Sequence, residues 1–320
     1  MNTVTLDFLR KVYRKAFNRG YNGVNYATVD VKNQEASDLI KSRLLSDEPV
    51  MICRFGSIEL DCVANYISIN KNKGAWFKYI SGKIDAYWWQ DNIISAMSNN
   101  AGFFPSNPST LEKFSLSMIE DMKQVDILGS WLEKEKLFTK ELAHATRVQI
   151  GDLHPYNHAN PWSEALKDKK VLVIHPFEDS IKSQFSKRDL IFKDQRILPP
   201  FELKTIKAVQ SIANNKTPFK TWFDALDYMK EQIDKTDFDI AILGCGAYGF
   251  PLAAHIKRIG KKAVHLGGPT QVLFGIIGKR WEEDKVNSYV MTHFANEHWV
   301  RPSATETPSG IKNVEAGCYW

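Results

Sequence analysis

The chain is poor in the features that most quickly place a protein. Its 320 residues hold four cysteines, at 53, 62, 245 and 318, with no CxxC spacing and no nearby paired histidine. That argues against a zinc module and against a disulfide framework, and favours a reducing, cytoplasmic setting. No apolar run approaches membrane-spanning length, and the N-terminus lacks the unbroken apolar core of a signal peptide. There are no repeats and no low-complexity segment. A basic tract is also missing: of the formal net charge of +5, the first 25 residues carry +4, through Arg10, Lys11, Arg14, Lys15 and Arg19 against Asp7. The remaining body is nearly neutral, so nucleic acid is not an expected partner.

Hydrophobic residues make up 43% of the chain and aromatic ones 12%, enough for one large core or two modest ones. Residues 1–25 form a separate basic arm. Leu6, Leu9, Val12, Tyr13, Ala16 and Phe17 recur at helical spacing with cations between them. Such a helix either lies on an anionic membrane through residues 1–20 or docks on its own domain or a partner subunit.

From residue 26 to 320, apolar runs alternate with helical segments. Helices are expected at 33–45, 57–69, 84–97, 107–122, 179–192, 221–233 and 250–259. Strands are expected at 50–54, 125–128, 147–150, 170–174, 202–208, 238–243 and 262–266. The polar, proline-bearing stretch 154–162 is the best boundary between halves, and the residues after 297 read as irregular. The pattern predicts an α/β, doubly wound, mostly parallel sheet with Rossmann-like halves, its ligand at the carboxyl ends of the strands.

Three strand ends carry chemistry. The strongest is Gly244-x-Gly246-x-x-Gly249, with a strand before it, a helix after it, and a second strand running into His265-Leu266-Gly267-Gly268-Pro269-Thr270-Gln271. Glycines let a backbone approach phosphate, and a helix N-terminus supplies free N–H groups. A dinucleotide site wants an acid at the end of that second strand; His265 stands there, which demotes NAD. The alternative is a tight turn needed only for packing. The second strand end is Arg54-Phe55-Gly56-Ser57-Ile58-Glu59, with Ser57 a plausible helix cap. Arg54 would neutralise phosphate and Glu59 would bind a metal or substrate hydroxyls, or else merely complement the helix dipole. The third, His175-Pro176-Phe177-Glu178-Asp179, offers His175 as a base or as a structural histidine.

Arg54 to Glu59 resembles the Arg-Phe-Gly-Asp-Gly-Glu signature of the GT-D-fold glycosyltransferases. Gly267 to Gln271, Phe274-Gly275, Lys279-Arg280-Trp281, Asn296 to Pro302 and Gly317 to Trp320 look like uncharacterised proteins of bacterial surface-polysaccharide loci. The resemblance implies a GT-D-like domain over residues 26–320 that moves a sugar from a nucleotide donor, a UDP-sugar, to a glycan acceptor in polysaccharide assembly, in the cytoplasm or at the inner face of the membrane. It also implies a divalent metal, Mn²⁺ or Mg²⁺, on an Asp-x-Glu pair, here Ser57 and Glu59, and the serine puts that metal in doubt. Arg54, Lys279 and Arg280 are the cations that could replace it at the leaving diphosphate. An NAD- or SAM-dependent enzyme and a non-catalytic, nucleotide-binding relative are the alternatives.

Overall fold

A computed structural model describes residues 2–17, 29–212, 215–283, 287–308 and 317–320. Arg19, placed above in the basic arm, lies outside these residues.

The strands are β1 (Val50–Cys53), β2 (Ile127–Ser130), β3 (Thr146–Gln149), β4 (Lys170–His175), β5 (Glu202–Lys207), β6 (Ile240–Leu243) and β7 (Lys262–His265). They form one seven-stranded sheet in the order β3-β2-β1-β7-β6-β4-β5. Every pairing is parallel. The helices are α1 (Thr3–Ala16), α2 (Gln34–Leu45), α3 (Ser57–Lys71), α4 (Trp76–Ile80), α5 (Asp91–Asn99), α6 (Pro108–Met122), α7 (Glu178–Phe185), α8 (Trp222–Asp234), α9 (Gly249–Arg258), α10 (Pro269–Leu273), α11 (Lys279–Glu283) and α12 (Tyr289–His293). This is the doubly wound, Rossmann-like architecture expected from the alternation.

The central strands are apolar apart from Lys170 and Lys262 at their starts and His175 and His265 at their ends, because both faces of a parallel sheet are covered. Met51, Cys53, Leu172, Ile174, Ala241 and Leu243 face a core shared with α6, α8 and α9. Val50, Ile52, Val171, Val173, Ile240 and Val264 face the opposite core, which holds Ile40, Trp162 and Trp281. The edge strands β3 and β5 are only partly buried. The stretch 154–162 does not divide the molecule, since β3 before it and β4 after it join the same sheet. The chain leaves β4 outward to β5 but leaves β6 inward to β7. Connections running in opposite directions from neighbouring strands open a crevice at their carboxyl ends.

Several boundaries differ from expectation, with identifiable causes. Helix α5 begins only at Asp91, because the Asn65 amide donates to the carbonyls of Ala86 and Trp88 and holds that stretch in a non-helical path. Helix α7 ends at Phe185. Beyond it the chain makes a separate short turn at Arg188–Leu190, tied down where Asn296 donates to the carbonyls of Leu190 and Ile191 and the Trp299 indole also donates to Ile191. Strand β2 lies two residues later than expected, at 127–130. Ser57 is not the cap of α3: Gly56 holds that position and Ser57 is the exposed first helical residue. At two other helix starts a side chain does cap. Asn107 accepts from Thr110 N at 3.2 Å, and Thr221 from Asp224 N at 3.1 Å.

The basic arm docks. Leu6 is buried with Tyr79, Ile80 and Ala86, and the Tyr79 hydroxyl donates to Asp7.

Candidate functional site

Four neighbouring strands, β1, β7, β6 and β4, end around one cavity of about 510 Å³. The β1 turn is held by Phe55, fully buried and stacked on Phe250 at 4.8 Å between ring centres. With Phe55 pinned below, Arg54 and Gly56 on either side of it line the cavity. Ser57, Glu59, His175, Gly244, Gly246, His265, Gly267, Gly268, Gln271 and Arg280 line it too. The three chemistry-bearing segments, more than 200 residues apart at their extremes, therefore meet in one place.

Arg54 is half-buried in the wall. Its Nε and Nη2 donate to Phe55 O at 3.0 and 2.7 Å, and its guanidinium lies 4.8 Å from the centre of the Trp131 ring. Among the described residues no ion pair joins Arg54 to a carboxylate; its recorded acceptor is a neutral carbonyl. Burial lowers its pKa, opposed by Tyr319 and Glu59. A cation so placed, with its charge uncompensated by a bonded acid, favours an anionic ligand. Arg280 is the second cation. Its Nη1 donates to the Tyr319 hydroxyl at 2.8 Å and its guanidinium covers the Tyr319 ring at 4.6 Å.

Glu59 is the one carboxylate among the described lining residues. It folds back over its own helix start: a Cβ on Gly56 would lie 2.6 Å from its Cδ and nearer still to Oε2. Gly56 has an ordinary extended backbone, φ −76° and ψ 141°. Glycine here leaves room for the Glu59 carboxylate; the backbone conformation does not call for it.

The fingerprint glycines divide into two roles. Gly246, at φ +57°, has nothing within 4 Å of where a Cβ would sit, so it faces open space and needs glycine for its left-handed backbone. Gly244 is wedged, its missing Cβ 2.6 Å from His175 Cδ2 and 2.7 Å from Thr270 Cβ. Gly249 abuts the His265 ring and lies outside the cavity lining. Thr270 is also off the wall, with its hydroxyl donating to Leu243 O at 3.1 Å. Lys279 is exposed and does not line the cavity. Gln271 reaches the wall but supports it, donating to Tyr319 O at 3.2 Å. Of the proposed donor-binding group, then, Gly249, Thr270 and Lys279 stand off the wall.

His175 lies on the wall, but its bonding suits a donor better than a base. Phe177 N donates to its Nδ1 at 3.0 Å, so Nδ1 is unprotonated and Nε2 carries the proton of the neutral ring. Burial lowers its pKa to about 3. His265 and His154 are likewise held at about 3, first by burial and then by Arg54, and their Nδ1 atoms have no bonded partner. The neighbouring acids do not reach the cavity. Glu178 pairs with Lys182 at 2.8 Å, and the amides of Asp179 and Ser180 at the start of α7 are satisfied by buried Glu306.

A divalent metal finds little to hold it. No group of three or more His, Cys, Asp and Glu residues suited to a metal occurs among the described residues. Asp61, the nearest acid in sequence to Glu59, turns away to Lys134 at 2.7 Å. Glu59 instead shares the wall with two guanidinium groups, whose charge opposes a cation. The described residues do not fit a resident divalent ion.

Sequence reasoning missed two supports. Trp131 follows the end of β2 and could have been found by the strand-end rule. Buried Glu135 holds it, accepting from Trp131 N at 3.1 Å and Leu132 N at 3.0 Å; nothing local in the sequence marks that role.

Fold and site together define the class: a doubly wound, Rossmann-like α/β protein with an arginine-bearing crevice at its strand ends. Comparison with protein-family models, with curated proteins and with solved structures finds no match to this chain.

Proposed function

We propose that the crevice binds a nucleotide-sugar, a UDP-sugar first, and that the protein transfers its sugar to a glycan acceptor as a GT-D-like glycosyltransferase of bacterial polysaccharide assembly. The observation that carries this reading is the pairing of Arg54 and Arg280 with a single carboxylate, Glu59, around one cavity at the ends of four parallel strands. Two guanidiniums suit a diphosphate, which gains negative charge as the sugar–oxygen bond breaks. The turns at Gly246 and Gly267 let backbone approach it.

In the proposed step the acceptor oxygen bonds to the sugar carbon as the bond from that carbon to the diphosphate oxygen breaks. The acceptor proton passes to Glu59, and the departing UDP keeps the electron pair, stabilised by Arg54 and Arg280. Nε2–H of His175 serves as a hydrogen-bond donor to the donor substrate or acceptor. No step uses a metal. The work is cytoplasmic, at the inner face of the membrane where the acceptor is membrane-held.

A thermal-shift series with UDP, UDP-sugars, NAD and SAM tests the reading. A ligand at 100 times its dissociation constant adds about 2.7 kcal/mol of stability. UDP is expected to stabilise wild type, and Arg54→Met to remove most of that gain. Stabilisation by NAD or SAM in place of UDP would overturn the proposal, and UDP binding without turnover of any UDP-sugar would reduce it to a nucleotide-binding protein.

A further inference from the structure

Helix α1 uses only one face to dock. Leu6 is buried, Leu9 and Tyr13 pack beside it, and Arg10 spans the contact with its guanidinium 4.3 Å from the Tyr79 ring centre and Nη1 donating to Ile84 O at 3.3 Å. The opposite face carries Val4, Phe8 and Val12 at a spacing of four. They are 71%, 64% and 48% exposed. On a helix that spacing is one stripe, and Lys11 and Lys15 fall on the same side, both exposed.

The element α1 packs on has the same character. Residues 71–83 run Lys-Asn-Lys-Gly-Ala-Trp-Phe-Lys-Tyr-Ile-Ser-Gly-Lys and contain no acid. Trp76 and Phe77 are 48% and 57% exposed, edge to face at 5.9 Å. Lys71, Lys73, Lys78 and Lys83 are exposed around them. Asp7 and Asp85 are the acids beside this surface, and Asp7 accepts the Tyr79 hydroxyl. Two elements far apart in sequence but in contact in the fold thus each carry exposed apolar or aromatic side chains with a strong excess of lysine.

We propose that α1 and the 71–83 segment form one docking surface for an anionic lipid bilayer. The apolar stripe and the two aromatic rings enter the boundary between headgroups and acyl chains, and the lysines lie along the phosphates with their stems snorkelling. Charge selects this occupant: a second copy of the chain would bring the same lysines face to face, whereas an anionic bilayer complements them. The inference stands apart from the catalytic reading, because it concerns neither the cavity nor its residues.

Sedimentation with vesicles of phosphatidylcholine alone, and of phosphatidylcholine mixed with phosphatidylglycerol, tests it without any donor present. Wild type should bind the phosphatidylglycerol vesicles, less in high salt, where screening shortens the reach of the lysines. The triple change Val4→Ser, Phe8→Ser, Val12→Ser and the double change Trp76→Ser, Phe77→Ser each remove exposed side chains. Both variants should therefore fold, and each should bind about tenfold more weakly. Equal sedimentation of wild type and both variants would overturn the proposal, as would equal binding to both vesicle types. A concentration-dependent dimer that Phe8→Ser dissolves, without vesicle binding, would assign the surface to a second copy and overturn it too.

Discussion

Gly56→Ala isolates Glu59 without touching it. The added Cβ would sit 2.6 Å from Glu59 Cδ, a separation real atoms do not tolerate, and the flexible end of the Glu59 side chain is what must move. The backbone at residue 56, φ −76° and ψ 141°, suits alanine, so no strain is added. Alanine is a poorer helix cap than glycine, by up to about 1 kcal/mol, while restricting the unfolded chain returns about 0.4–1 kcal/mol. Stability should therefore change by no more than about 1 kcal/mol. If Glu59, before it takes the acceptor proton, also holds a hydroxyl of the bound nucleotide-sugar, displacing its carboxylate forfeits a charged hydrogen bond worth about 1.5–3 kcal/mol, or roughly 10- to 150-fold in donor affinity. The assay is calorimetric titration with the donor, paired with urea unfolding, for wild type, Gly56→Ala, Glu59→Ala and the double variant. Because Gly56→Ala acts through the carboxylate, it should be silent once Glu59 is alanine. An equal loss from Gly56→Ala in both backgrounds would refute the reasoning and mean that backbone at Gly56, not Glu59, meets the ligand.

Stability should fall on mild acidification. His175 and His265 are held neutral with pKa values of about 3, against roughly 6.5 in an unfolded chain. The unfolded state thus binds more protons below pH 6.5, and the stability present above that pH is lost as pH falls toward 3, by about 2 kcal/mol per histidine at pH 5. Asp121, raised to about 6 by burial, opposes this with about 1.4 kcal/mol over the same range. A denaturant midpoint unchanged between pH 7 and pH 5 would show that the rings are not buried as neutral species. Transfer should survive EDTA, because arginines and not a carboxylate cluster face the donor. Ser57→Asp should fold normally at a helix start and strengthen any response to Mn²⁺. Loss of turnover in EDTA with full recovery in micromolar Mn²⁺ would show that a carboxylate outside the group described here completes a metal site.

Local sequence determined the strands, the longer helices and the direction of the sheet, while the five-residue helices α4, α10, α11 and α12 were not legible in it. Apolar runs such as 240–243, followed at once by a glycine turn and a helical pattern, admit a parallel strand covered on both faces and little else, because period and turn chemistry are properties of adjacent residues. The same locality explains the caps at Asn107 and Thr221, and why ligand chemistry was sought at strand ends. Tertiary structure decided what depends on distant partners. The late start of α5 follows from Asn65, which takes up the carbonyls of residues 86 and 88, and the path after α7 follows from Asn296 and Trp299, which anchor residues 190 and 191 from far along the chain. The three identical glycines of one fingerprint received different tasks, since Gly244 and Gly249 press on His175 and His265 while only Gly246 of the three has open space where a Cβ would sit. His175 became a hydrogen-bond donor because Phe177 N occupies its other nitrogen, and Asp61 left the site because Lys134 lies within reach. The second half of the basic apolar surface, at Trp76 and Phe77, emerged only when α1 was seen resting beside it. Spacing along a chain reports which residues share a face; which group meets which across the fold is set by packing of the whole.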